Sequence, residues 1–120
     1  MNILFLLALI FEGLFGVGFL LAPAAVLAPL GLTLDDTAAA LARLLGSALI
    51  GFPVLLWFAR KSDSPGFKRT AVYSLFAYYL VSTVVLVFTQ MAGLMNSLGW
   101  SVVAVHVIFT VAFGYLIVKK

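Results

Sequence analysis

Residues 3–21 of the chain read ILFLLALIFEGLFGVGFLL, an apolar run in which Glu12 is the one charged residue. A helix needs about 20 such residues to cross the ~30 Å hydrocarbon core of a membrane, because it rises 1.5 Å per residue. Three further stretches of the 120-residue chain have the same character: 37–59, 67–91 and 98–118. The sequence therefore predicts an all-α fold, an integral membrane four-helix bundle in which residues 1–120 form a single four-span domain.

The composition excludes an ordinary soluble domain. Hydrophobic residues make up 65% of the chain and charged residues 9%, with a mean hydropathy of +1.25; soluble domains are about 45–50% apolar and about 25% charged. The chain has no Cys and one His, which excludes thiolate and three-His metal sites within one chain. Its seven Lys and Arg residues form no continuous basic face, so we expect no nucleic-acid partner. We find no pattern of catalytic residues, and no cofactor can be assigned.

The basic residues concentrate on one side of the predicted bundle. They flank the second connection and end the chain: Arg60, Lys61, Lys68, Arg69, Lys119 and Lys120. The first connection instead carries Asp35 and Asp36, and the third has no Lys or Arg. Because cytoplasmic loops carry an excess of Lys and Arg, we expect both termini to be cytoplasmic, an N-in/C-in arrangement in a bacterial cytoplasmic membrane.

Two segments near the first span have competing interpretations. The first 28 residues resemble a signal peptide in length, but no Lys or Arg precedes the apolar run, so we expect them to be retained as a span. Residues 23–34 are apolar but too short to cross a membrane. They form either an interfacial or re-entrant segment at the outer surface or a plain hydrophobic loop.

Three ionisable side chains lie inside the predicted spans: Glu12, Arg43 and His106. Each needs a partner or a purpose, because inserting such a group costs roughly 2.5–3.5 kcal/mol. The helical rise places all three roughly 9 to 13 Å below the outer surface. Hydroxyl groups of the third span fall at the same depth. We predict a buried polar layer around an ion pair between Glu12 and Arg43, with these members: Glu12, Arg43, His106, Tyr79, Ser82 and Thr83.

The role of this layer has three interpretations. It is either structural, holding the bundle together because unpaired charges would cost more, or it is a proton site or the polar floor of an outward-facing pocket. In a third arrangement Arg43 extends to the lipid head groups and does not contact Glu12. Small residues at helical spacing, among them Gly16, Gly46 and Gly51, predict close contact between helices.

The stretch at 19–51, FLLAPAAVLAPLGLTLDDTAAALARLLGSALIG, resembles a pattern in small bacterial four-helix membrane proteins of the DoxX-like kind. A Pro-containing outer segment ends in Gly-Leu, and the second helix carries an Arg followed by a small residue. The matching positions are Pro29, Gly31, Leu32, Arg43 and Gly46. The resemblance implies a four-helix bundle associated with membrane redox or lipid-related systems. It carries over no catalytic residue.

Three functions are compatible with the sequence. The short loops and extensive apolar flanks favour a non-enzymatic accessory or structural subunit, whose partners are membrane lipid, other integral membrane proteins or further copies of the chain. A small proton-coupled transporter would use the layer of Glu12, Arg43 and His106. The third function is binding of a lipid, isoprenoid or quinone in the same place.

Overall fold

The structure is a computed structural model that describes Met1–Lys119. These residues are almost entirely helical and contain no strand. The helices are α1 (Asn2–Leu21), α2 (Pro23–Leu27), α3 (Asp36–Lys61), α4 (Pro65–Met91) and α5 (Gly99–Val118), with a 3₁₀ turn at Ala28–Leu30. All but α2 and the 3₁₀ turn are long and apolar enough to cross a membrane. The four predicted spans agree with these helices to within two residues at each end.

Side-chain caps set where α3 and α4 begin. The carboxylate of Asp35 accepts a hydrogen bond from the Ala38 amide at 2.7 Å. The Ser64 hydroxyl accepts one from the Phe67 amide at 3.3 Å, and Pro65 follows as the first residue of α4. Such oxygens satisfy amide groups that have no partner within the helix, and proline suits the first helical position.

The bundle consists of two closely packed helix pairs. Helix α1 packs along α3 and α4 packs along α5, whereas few close backbone approaches join one pair to the other. The first pair meets at two glycines: a Cβ atom on Gly46 would lie 2.7 Å from the backbone oxygen of Gly16. The predicted close contact is therefore confirmed for these two residues. It is wrong for Gly51, where a Cβ would meet nothing within 4 Å.

Aromatic side chains fill the space between the pairs in the half of the bundle that contains both chain ends. The ring of Tyr79 stacks on Phe109, with centroids 4.7 Å apart and planes at 11°. The ring of Phe113 stacks in turn on Phe5 from the other pair, at 6.3 Å. Leu56 and Leu75 are fully buried in the same cluster. Side chains fill the core of this half of the bundle, whereas the core of the opposite half is not filled.

The opposite end of the bundle is covered by the first and third connections. Residues 23–34 contain α2 and the 3₁₀ turn. The turn is followed by Gly31 with φ of 78°, a backbone conformation that glycine adopts without strain. The side chain of Asn96 donates a hydrogen bond to the Pro29 carbonyl at 2.9 Å, and its backbone amide donates to Leu30 at 2.9 Å. These bonds hold the two connections together as one cover.

Candidate functional site

A cavity of about 380 Å³ lies between the helix pairs beneath this cover. Its walls come from α1, α3, α4 and α5, and they are predominantly apolar. Few polar side chains reach the lining: Glu12, Tyr78, Ser82, Thr89 and His106. A concave apolar space with a few polar groups, within the usual 300–1,000 Å³, is the general form of a small-molecule site.

A row of phenylalanines from α1 forms one wall of the cavity. Phe11, Phe15 and Phe19 all line it. Neighbouring rings in the row are 4.7 Å and 5.9 Å apart. Residues spaced by four lie on one helix face, and this spacing was visible in the sequence, although we did not predict the row. The wall is suited to apolar chains and flat rings.

Glu12 lies at the inner end of the cavity and is 1% exposed. Its Oε2 atom accepts a hydrogen bond from the Tyr78 hydroxyl at 3.3 Å. Its Oε1 atom is buried without a hydrogen-bond partner, and so is the hydroxyl of Tyr79. The Tyr79 hydroxyl nevertheless lies within reach of the same carboxyl, although Tyr79 does not line the cavity. Glu12 is therefore a buried acid held between two tyrosines.

His106 contributes to the cavity lining from α5. Its Nδ1 atom lies 2.9 Å from the backbone oxygen of Val102. Because a carbonyl only accepts, Nδ1 carries the proton in this bond, which leaves Nε2 as the acceptor of a neutral ring. Aromatic rings surround the imidazole, including Tyr79 at 5.6 Å and Phe11 at 6.0 Å between centroids. His106 therefore offers a ligand one ring nitrogen in a position fixed by the helix.

The predicted ion pair between Glu12 and Arg43 is wrong. Arg43 is exposed, does not line the cavity, and contributes no hydrogen bond to either carboxyl oxygen of Glu12. The reason is the offset between α1 and α3: Gly13 of α1 lies beside Pro53 of α3, which is ten residues from Arg43. Glu12, next to Gly13, is therefore about 15 Å from Arg43 along the helix axis at 1.5 Å per residue.

The hydroxyl groups of α4 divide between two faces. Ser82 lines the cavity together with Tyr78, which was not among the predicted members of the polar layer. Thr83 instead donates to the backbone oxygen of Tyr79 at 2.7 Å and lies 3.3 Å from the Thr110 hydroxyl of α5. Tyr78 and Ser82 are four residues apart and therefore lie on one face of α4. This spacing in the sequence indicates that Tyr78 belongs with Ser82.

The cavity opens to the side rather than at the covered end. Leu27, Leu30 and Met95 line it from the two connections that form the cover. Three other lining residues are exposed at the bundle surface: Leu45 at 46%, Val81 at 62% and Val85 at 57%. The first of these belongs to α3 and the other two to α4. The opening therefore lies between α3 and α4, flanked by apolar side chains.

The site is equipped for binding through apolar contact and a few hydrogen bonds. The described residues contain no group of three or more His, Cys, Asp or Glu side chains that could hold a metal ion. The polar atoms available to a bound molecule belong to a carboxyl, an imidazole and hydroxyl groups. Each can donate or accept a hydrogen bond according to its protonation and rotation.

Comparison with known proteins gives one match. No curated protein and no solved structure matches the chain significantly. A family model described as "Domain of unknown function (DUF8292)" matches residues 6–119, which include all four long helices almost completely. The DoxX-like resemblance stays a prediction. The chain belongs to the DUF8292 family.

Proposed function

We propose that this chain spans a bacterial cytoplasmic membrane four times, with both termini in the cytoplasm. Four apolar helices of sufficient length support the insertion. The positive-inside rule supports the orientation, because the loop between α3 and α4 and the end of α5 carry the Lys and Arg clusters. The exposed rings of Trp57 and Trp100 suit the two membrane interfaces.

Within that setting, the proposed function is non-enzymatic binding of a lipophilic molecule that carries one hydrogen-bonding head group. The observation that carries the proposal is the apolar cavity lined at its inner end by the Glu12 carboxyl and the His106 imidazole. A head group placed there would bond to these two groups or to Ser82, while its apolar part would lie along the phenylalanine row. Isoprenoid alcohols, quinones and other lipids have this construction.

The size and opening of the cavity agree with such a ligand. At the ~30 Å³ that one water molecule occupies in the liquid, 380 Å³ holds roughly a dozen non-hydrogen atoms. That is room for a head group and the first part of an apolar tail. The remainder of the tail would leave between α3 and α4 past Val81 and Val85, directly into the hydrocarbon. The ligand would therefore enter from the membrane.

Two other functions remain as alternatives. The accessory subunit is supported by the large apolar surface that four such helices expose, and binding a lipophilic molecule is compatible with it. A proton-coupled carrier is supported by the position of Glu12, a buried acid at the floor of a cavity. The substitution Glu12→Gln would abolish coupled transport, whereas an accessory subunit would remain assembled and lose only stability.

Ligand-dependent stability tests the binding proposal. Purified protein in detergent is titrated with isoprenoid alcohols, quinones and phospholipids, and its melting temperature is followed by circular dichroism. A ligand of the folded state at 100 times its Kd stabilises that state by about 2.7 kcal/mol. We expect at least one of these three classes of ligand to raise the melting temperature of the wild type.

A matched pair of variants on α4 supplies the control. Ser82→Phe places a large ring in the cavity and should remove the ligand effect. Ser74→Phe places the same ring at an exposed position of the same helix and should preserve it. The proposal fails if no ligand class stabilises the wild type, or if both variants respond as the wild type does.

A further inference from the structure

The end of the bundle opposite the cavity carries a second concave site. It has a volume of about 320 Å³ and lies where α4 begins and α5 ends. Three basic side chains line it: Lys68, Arg69 and Lys119. Asp63 is the one acidic residue in the lining, and Val72 and Leu116 supply apolar contacts. The site is net positive and borders the apolar surface of the bundle.

Basic residues occupy the start of α4, where a helix usually carries acidic ones. Lys68 and Arg69 lie near the beginning of α4, whose first turn contains no acidic residue. The amino end of a helix carries a partial positive charge, which favours anions and disfavours cations. The two basic side chains thus add to the field of the helix instead of compensating it. An anion in the site would offset both contributions.

Aromatic side chains hold two of the cations in place. Arg69 donates a hydrogen bond to the Tyr73 hydroxyl at 3.2 Å, and its guanidinium lies 5.6 Å from the centre of that ring. The ammonium of Lys119 lies 5.7 Å from the ring of Tyr115. Cation–π contacts of this length are attractive, and tyrosines are common at membrane interfaces. In the proposed membrane orientation, these basic groups would lie near the lipid phosphates.

We propose that Lys68, Arg69 and Lys119 form a binding site for the phosphate of an anionic phospholipid of the inner leaflet. The phosphate would contact the three basic groups, and the acyl chains would lie along the apolar flank near Leu116. Asp63 repels an anion, but three basic groups outnumber it, so the net positive charge of the site favours an anionic head group over a zwitterionic one. The site is separate from the cavity, and either can exist without the other.

Lipid retention measured by native mass spectrometry tests the site. The protein is equilibrated in detergent with equal amounts of phosphatidylglycerol and phosphatidylcholine that have identical acyl chains. One Lys or Arg near an anionic lipid contributes about fivefold to binding. We expect the wild type to retain phosphatidylglycerol preferentially, and the triple variant Lys68→Gln, Arg69→Gln, Lys119→Gln to lose at least tenfold of that preference.

Two controls decide the outcome. Lys61→Gln removes an exposed basic residue at the same end of the bundle that contacts Trp57 and lies outside the site, and it should change the preference less than twofold. Lys119 follows the end of α5, so Lys119→Gln should fold even where the triple variant does not. We expect this single substitution to lower the preference for phosphatidylglycerol threefold to fivefold. The proposal is overturned by equal retention of both lipids, or by an effect of Lys61→Gln as large as that of Lys119→Gln. Displacement of phosphatidylglycerol by an equal concentration of inorganic phosphate would overturn its assignment to a lipid.

Discussion

The contact between α1 and α3 gives the most quantitative prediction, through Gly46→Ala. The added Cβ would lie 2.7 Å from the Gly16 oxygen and 2.8 Å from the Leu20 nitrogen. Both are backbone atoms of α1, so the clash is relieved only if the helices separate. Adding a methyl group to a packed core costs about 1–3 kcal/mol, and backbone neighbours favour the upper end. Alanine gains back about 1 kcal/mol of helix propensity over glycine, so the net loss is about 2 kcal/mol.

Gly51→Ala is the matched control on the same helix. No atom lies within 4 Å of its added Cβ, so only the propensity gain of up to about 1 kcal/mol remains. The two variants should therefore differ by about 3 kcal/mol in the free energy of unfolding. Titration with sodium dodecyl sulfate, followed by circular dichroism, measures this difference. Equal effects of the two substitutions would refute the close contact of α1 with α3, which also positions Glu12 one turn from Gly16.

Three further predictions use the same unfolding assay or amide exchange. Tyr78→Phe removes a donor from the buried Glu12 carboxyl; we expect a loss of about 1–3 kcal/mol, and a loss below about 0.5 kcal/mol would contradict the bond. Asn96→Ala removes the bond to Pro29 that joins the two connections, so amide exchange in residues 27–32 should accelerate at least tenfold while that of α4 stays unchanged. Unaltered exchange there would argue against a shared cover. Arg43→Gln should change stability by less than about 0.5 kcal/mol, because Arg43 is exposed and does not bond to Glu12; a loss of several kcal/mol would restore the ion pair.

The sequence predicted where the helices begin and end better than how they pack against one another. Hydropathy and the caps at Asp35 and Ser64 locate the four long helices, because length and local hydrogen bonding determine these boundaries. Depth counted from a helix end by the helical rise misplaces Arg43, because α3 extends past the end of α1 and Pro53 lies beside Gly13. The direction of a residue depends on which face packs against which neighbour, and apolar residues surround every helix of such a bundle. Glu12 and His106 were therefore placed correctly as buried residues, whereas Arg43 was not.

Packing between the two helix pairs also decided which aromatic residues belong to the site. Tyr78 and Tyr79 are adjacent in sequence, yet one lines the cavity and the other stacks on Phe109. The cavity itself has no sequence signature. It exists because large rings fill the space between the pairs at one end of the bundle, while at the other end the connections held by Asn96 cover a space that no side chain occupies.

Native mass spectrometry of the protein released gently from its own membrane tests most directly whether the cavity holds a ligand. We predict a single small-molecule adduct that persists at collision energies which strip bulk lipid from the wild type and from Ser74→Phe. The adduct should be absent from Ser82→Phe, whose new ring lies in the cavity. A wild type without any adduct, or an adduct that Ser82→Phe retains in full, would contradict the account.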